Sequence, residues 1–254
     1  MVPDSGGHFN RVYGAVVMIP EVQPSGPEVW LVDMQQFLFP IQSACWFAAG
    51  LVTNNELAIA SRYSSARAKM HYLAGRALVR HALTQTAHYN PRHIHIVLGE
   101  NNKPVLANNT NEVQWHFNIS HSGDLVACAL ASSKIGIDIE MISHTADYLS
   151  IARAHFSDEE ASWVAAKPAS INERFVALWT IKEAYLKAIG IGLAIPISRV
   201  MTAGVKLRSC LVFSEDVLGW YKWHCRLMKP ASGYWLSICY ESGLEKIKIK
   251  WTKL

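Results

Sequence analysis

A strict alternation of apolar and polar residues runs through the middle of the chain, where Ile135, Ile137 and Ile139 are separated by Gly136, Asp138 and Glu140. A period of two is the pattern of a pleated strand, and it places both carboxylates on one face, roughly 7 Å apart. Similar runs predict strands at 12–19, 29–34, 93–98, 115–118, 125–130, 205–213, 220–228 and 234–240. A Pro/Gly-rich turn over 20–27 separates the first two. Helical spacing replaces alternation after Thr53-Asn54-Asn55-Glu56, which has capping-box form, and continues over 66–83 past a break at Ser64-Ser65. A short helix is expected over 148–155, another opening at Ser157-Asp158-Glu159-Glu160, and a long one over 171–189 that Gly190 and Gly192 end. Strands and helices mix in both halves, so the fold class is α+β with mixed α/β character and a seam near 131–134.

The long helix is apolar on most sides (Phe175, Val176, Leu178, Trp179, Ile181, Tyr185, Leu186), yet Glu183 and Lys187 sit one turn apart on a common strip. Two carboxylates on a strand and a third on a mostly buried helix, with a lysine near by, suit a Mg²⁺ ion that holds phosphate oxygens. Each feature has a plainer reading: Asp138 and Glu140 as the wet face of a strand, Glu183 and Lys187 as a helix-surface ion pair.

Composition narrows the classes. Half of the 254 residues are hydrophobic and 17% are charged, enough apolar sequence for a large core. Lys+Arg of 24 against Asp+Glu of 20 gives +4, which suits anionic ligands or acidic partners and is too weak to indicate nucleic acid. Five widely spaced cysteines with no CxxC pair speak against a zinc site or a disulfide framework and for a reducing cytosol. The N-terminus has no secretory pattern, and the most apolar window, 37–52, is broken by Pro40, Gln42, Ser43 and Gly50. A cytoplasmic protein that is not bound to membrane is expected.

Four smaller features carry candidate chemistry. Asn118-Ile119-Ser120-His121-Ser122-Gly123 reads as a small polar turn after a strand, with a hydroxyl, an imidazole and backbone N–H groups able to hold a phosphate. Lys103-Pro104 follows a polar turn and would fix one ammonium in place. Gly75-Arg76 with Arg80 forms a basic helical face whose plain reading is solvation. Glu160 is a helix cap on its own evidence.

GIDIE at 136–140 followed by WTIKEAYLK at 179–187 resembles the signature pair of the 4′-phosphopantetheinyl transferases. Asn118–Gly123 resembles that family's coenzyme A segment, and LAGRALVR at 73–80 its N-terminal helix motif. The length is similar to that of the monomeric surfactin-activating type. The resemblance implies two similar α/β halves in a pseudo-twofold arrangement, 1–131 with coenzyme A contacts and 132–254 with the metal and catalytic residues, and an active site between them. It implies transfer of 4′-phosphopantetheine from coenzyme A to a serine of an apo acyl or peptidyl carrier protein. Position by position, it implies Asp138, Glu140 and Glu183 as Mg²⁺ ligands and Glu140, Lys187 and Glu160 as catalytic groups. Arg76, Lys103, Pro104, Ser120, His121 and Lys187 would contact coenzyme A.

The sequence also departs from the family. Asn102 stands before Lys103-Pro104 where glycine is common, and His71 where arginine is frequent. The first helix lacks the usual arginine near Ile59, leaving Arg62 and Arg67 as candidates for the 3′-phosphate. Two other readings stay open: a Mg²⁺-dependent phosphodiester or pyrophosphate hydrolase, and a coenzyme A or carrier-protein binding module without turnover.

Overall fold

The computed structural model describes residues 26–37, 41–107, 114–191, 195–203, 209–214, 223–241 and 246–254. Two sheets form its centre. The first is built from β1 (Glu28–Asp33), β4 (His116–Ser122), β5 (Leu125–Ala131) and β11 (Lys248–Trp251), in the order β11-β1-β5-β4. The second is the antiparallel set β6 (Ile135–Met141), β7 (Val200–Ala203), β8 (Ser209–Ser214), β9 (Trp223–Met228) and β10 (Tyr234–Tyr240), in the order β6-β10-β9-β8-β7. A small hairpin, β2 (Ile96–Leu98) with β3 (Pro104–Leu106), stands apart. Helices α1 (Ile41–Ala48), α2 (Asn54–Ser61) and α3 (Ala66–Ala87) accompany the first sheet, and α4 (Tyr148–His155), α5 (Asp158–Ala165) and α6 (Ile171–Ile189) the second. The α+β class is as expected. The strand expected at 12–19 lies outside the described residues.

Alternation along the strands decides the layers. On β1 and β5, Trp30, Val32, Val126, Cys128 and Leu130 pack with Leu73, Ala74, Ala77 and Leu78 of α3. Their neighbours Val29, Leu31, Leu125, Ala127 and Ala129 join Ile135, Ile137, Ile139, Leu236 and Ile238 of the second sheet in a separate core. The opposite face of the second sheet, with Trp235 and Cys239, receives Ala177, Ile181, Ala184 and Ala188 of α6. The order is therefore helix, sheet, sheet, helix, and the central core holds only strand residues and those packed on them. Gly136 lets α6 lie directly on β6: a Cβ there would sit 2.0 Å from the Ala184 carbonyl oxygen and 2.3 Å from the Ala188 nitrogen.

The two sheets meet along β4 and β6, each the edge strand of its own sheet. An edge leaves every second N–H unpaired. Here side chains pair them: Ile137 N–H donates to Asn118 Oδ1 at 3.0 Å, Ile139 N–H to Ser120 Oγ at 3.2 Å, and Met141 N–H to Ser122 Oγ at 3.0 Å. The segment read as a polar turn is therefore a strand through Ser122, and the turn comes only at Gly123-Asp124. Its period of two, Asn118, Ser120, Ser122, was the available signal.

Two further corrections concern charge and sulfur. Arg80 is not solvated but buried, donating to both Glu56 oxygens and to the carbonyls of Leu51 and Ile94. Cys225 and Cys239, directly paired on β9 and β10, form a disulfide that their spacing of fourteen residues did not suggest. Other details match the sequence reading, including both capping boxes and the left-handed Gly190 that ends α6. The C-terminal β11 returns to the first sheet beside β1, where Lys250 pairs with buried Glu28 at 2.9 Å. Among the described residues no helix is long and apolar enough to cross a membrane.

Gly136→Ala should cost more than the ~1–3 kcal/mol of an ordinary overpacked methylene, because backbone atoms rather than a flexible side chain stand in the way. Urea unfolding, or failure to recover folded protein, measures this. Asn118→Ala should cost about 1–3 kcal/mol, since it leaves the Ile137 N–H buried without an acceptor; the shift in urea midpoint at constant slope checks it.

Candidate active site

The seam between β4 and β6 carries the acids. Ser120 Oγ accepts the Ile139 N–H and also donates to Asp138 Oδ1 at 2.9 Å. Lys187 reaches in from α6 and donates to Asp138 Oδ1 at 2.6 Å and to Ser120 Oγ at 3.0 Å. One proton and two lone pairs of this hydroxyl are thus all engaged. Ser122 repeats the pattern one step along, accepting from Met141 and donating to Glu140 Oε2 at 2.8 Å. Glu183 projects from α6, a turn before Lys187, into the same electrostatic neighbourhood.

Burial and mutual repulsion govern the carboxyls. Asp138 is 2% exposed, and its burial raises its pKa against the pull of Lys187 and Ser120. Glu140 is pushed up to about 7 by burial and then by the Asp138 charge, with Glu183 adding to the shift. Glu183 is raised by burial and by Asp138. Asp138 Oδ2 is buried and has no hydrogen-bond partner among the described residues. The three acids do not converge into a preformed cage; among the described residues no group of three His, Cys, Asp or Glu does.

The nucleotide-end candidates separate into near and far. His121 stacks on His71 with ring centroids 4.4 Å apart, and His71 Nε2 lies 3.0 Å from the Gly123 carbonyl oxygen. His121 is pushed down to about 4 by burial, then by the nearby His71 and Lys187 charges, so it is neutral at pH 7. The outer side of its ring stays open to solvent, and water there offsets part of that desolvation. Lys103 lies at the end of α6, donating to the carbonyls of Lys187 at 2.5 Å and Ala188 at 3.3 Å, while Pro104 begins β3. Asn102 does take positive φ, +58°. Arg76 lies elsewhere, 5.1 Å from the centre of the Tyr72 ring and 3.9 Å from Glu56.

Glu160 does not stand with the acids. Its oxygens accept from Lys182 at 2.6 Å, Thr202 at 2.9 Å and the Ser157 N–H at 3.1 Å, which makes it a cap and a buried counter-ion between α5, α6 and β7. The adjacent Lys182 and Glu183 explain the divergence, because neighbouring helix positions point about 100° apart. Sequence reasoning missed Ser122 and Asn118, whose roles depend on the strand they occupy. Beside Glu140 an apolar pocket of about 230 Å³ is lined by Tyr148, Ile151, Phe175 and Trp179.

Two family models match the chain in succession: one described as 4'-phosphopantetheinyl transferase, N-terminal, over residues 39–134, and one described as the 4'-phosphopantetheinyl transferase superfamily over 134–239. The 4'-phosphopantetheinyl transferase HetI of Nostoc sp. is 30% identical over 202 residues, 75% of this chain and 85% of that protein. The chain belongs to the 4'-phosphopantetheinyl transferase family. The 4'-phosphopantetheinyl transferase gsp of Aneurinibacillus migulanus is 37% identical over 138 residues, which spans 54% of this transferase and 55% of the relative. Thermotoga maritima holo-[acyl-carrier-protein] synthase superposes with a TM-score of 0.36 at 16% identity, over 42% of this chain and 61% of its own, a likeness too slight to build on. The models meet at residue 134, beside the first residue of β6.

In this transferase the His121 pKa is depressed below its unfolded value of about 6.5. Its contribution to stability is thus complete above about 6.5 and is lost as pH falls toward about 4. The His121 ring resonances followed by NMR should show a titration midpoint well below 6.5, and His121→Phe, which keeps the stack, should lose less thermal stability than the native protein over the same acid range.

Proposed function

We propose that the protein moves the 4′-phosphopantetheine arm of coenzyme A onto a serine hydroxyl of an apo acyl or peptidyl carrier protein and releases adenosine 3′,5′-bisphosphate. The observation that carries the reading is the convergence of Asp138, Glu140, Ser120 and Lys187 from β4, β6 and α6 at one seam. We assign coenzyme A contacts mainly to 1–131, the acid cluster to 132–254, and the enzyme to the cytoplasm as a monomer.

The donor set suits Mg²⁺. Hard carboxylate oxygens are its usual protein ligands. Asp138 Oδ2 is buried and unpartnered among the described residues, and Glu140 and Glu183 sit in a field that raises their pKa values, a cost that a divalent cation relieves. Asp138, Glu140 and Glu183 would hold the ion, and when bound it would neutralise the charge of the pyrophosphate oxygens.

The remaining work falls to side chains. Attack by a neutral serine on an anionic phosphodiester needs the hydroxyl proton removed as the bond forms. Glu140, held at the seam by Ser122 beside the other acids, is the carboxylate placed to accept that proton. Lys187 offers its ammonium to the departing bisphosphate, and Ser120 holds that ammonium in place. Neutral His121 is limited to hydrogen bonding and stacking, without a charge of its own. Lys103 fixes the last turn of α6, and with it Lys187, by binding its carbonyls.

Incubation with an apo acyl carrier protein, coenzyme A and Mg²⁺, followed by mass spectrometry of the carrier, tests this. The carrier should gain one phosphopantetheine arm, and EDTA or Asp138→Ala should abolish the gain. Glu140→Gln should lower kcat by about 10²–10⁴-fold while coenzyme A affinity changes little. Breakdown of coenzyme A with no modified carrier would identify a hydrolase instead.

A further inference from the structure

Among the described residues, β11 is the outer strand of the first sheet. It lies parallel to β1 and gives that neighbour only half of its backbone groups. The Lys248 N–H donates to the Pro27 carbonyl at 3.0 Å and the Thr252 N–H to the Leu31 carbonyl at 2.9 Å, so the even-numbered positions bond inward. The N–H and C=O groups of Ile249 and Trp251 therefore point away from β1, along the free edge. The residues that follow hold this edge in place. Thr252 Oγ1 lies 2.9 Å from His81 Nε2, and the Leu254 carbonyl accepts from Gln42 Nε2 at 2.7 Å.

The two faces of the strand differ. Ile249 and Trp251 stand in register with Val29 and Leu31, which belong to the core between the sheets. They carry that core on beyond β1, where they are 47% and 50% exposed. Lys248 and Lys250 share the other face with Glu28 and Trp30. Lys250 pairs with Glu28 at 2.9 Å and lies 4.4 Å over the Trp30 ring, and Lys248 is 4.0 Å from the same carboxylate. From Lys246 to Leu254 there are four lysines and no acidic side chain. Lysine on an edge deters pairing with a second copy of the chain, because like charges would face one another. It favours a strand that carries carboxylates. Neither β11 nor the apolar run at 12–19 has one to offer.

We propose that the free edge of β11 is a docking site for an extended segment of a partner protein in which acidic and apolar residues alternate. The segment adds to the sheet as a further strand, bonding to the outward groups of Ile249 and Trp251. Its apolar side chains cover Ile249 and Trp251, and its carboxylates, on the opposite face, meet Lys248 and Lys250. β11 and β4 are opposite edges of the first sheet, so a partner bound here leaves the acid cluster open.

Calorimetric titration of the full chain with a peptide of about eight residues that alternates glutamate and valine tests this, beside the same peptide with lysine for glutamate. The glutamate peptide should bind about tenfold or more tightly than the lysine peptide. N-methylation at the valines or at the glutamates should spare binding in only one of the two forms, since one set of N–H groups faces β11. Equal affinity for the glutamate and lysine peptides, binding of neither, or binding of both methylated forms overturns strand addition. Ile249→Pro removes an outward N–H alone and should weaken binding about tenfold. Trp251→Thr, at an exposed side chain, should weaken it too while coenzyme A binding is kept. Unchanged affinity in both variants overturns the site. In the free protein the Ile249 and Trp251 amides should exchange with solvent faster than those of Lys250 and Thr252. Equal protection of all four means that the edge is already covered and overturns the proposal. Binding to phosphatidylserine vesicles through Trp251, with no binding of the glutamate peptide, overturns it in favour of a lipid surface.

Discussion

Two serine hydroxyls hold this molecule together at the place where it works. Ser120 and Ser122 each accept a backbone N–H from β6 and donate their own proton to the carboxylate beside it. The same atoms therefore close an open sheet edge and orient Asp138 and Glu140. Because the acids are positioned by the bonds that join the sheets, the site exists only when the two sheets are docked.

Docking also sets the electrostatics. Asp138 lies almost wholly out of water, where an unpaired carboxylate is costly, and Lys187 and Ser120 offset that cost at one oxygen only. The other oxygen, together with Glu140 and Glu183, retains an unmet demand for positive charge. Such a cluster is poorly stabilised by itself, and it persists because the apolar surface of β6, with Ile135, Ile137 and Ile139 fully buried, anchors the strand on its other face. Gly136 serves the same end. Without it α6 could not lie close enough for Lys187 to reach Asp138.

Two groups of charge stand along the seam. At one end the acids and Lys187 gather; at the other, Lys103 joins the hairpin to the last carbonyls of α6 beside a cationic cavity. Helix α6 is the element common to both, and its C-terminal carbonyls, which carry partial negative charge, are met by the Lys103 ammonium. Position at one end is thereby transmitted through a rigid helix rather than through a loop.

Periodicity in the sequence alone determined the strand through Ile135–Ile139, the placing of both carboxylates on one face, the helix over 171–189 with Glu183 and Lys187 on one strip, and the caps that start α2 and α5. These depend on neighbours within a turn or a pleat, so local pattern suffices. The motifs also carried the family resemblance. What the tertiary structure decided was every relation between distant segments: that Asn118–Ser122 is a strand, that Arg80 is a buried partner of Glu56, that Glu160 belongs to Lys182, and that Cys225 faces Cys239. A polar side chain looks the same in sequence whether it meets water or a partner many residues away. Only the packing of two sheets face to face, joined along β4 and β6, removes the water and chooses the partner.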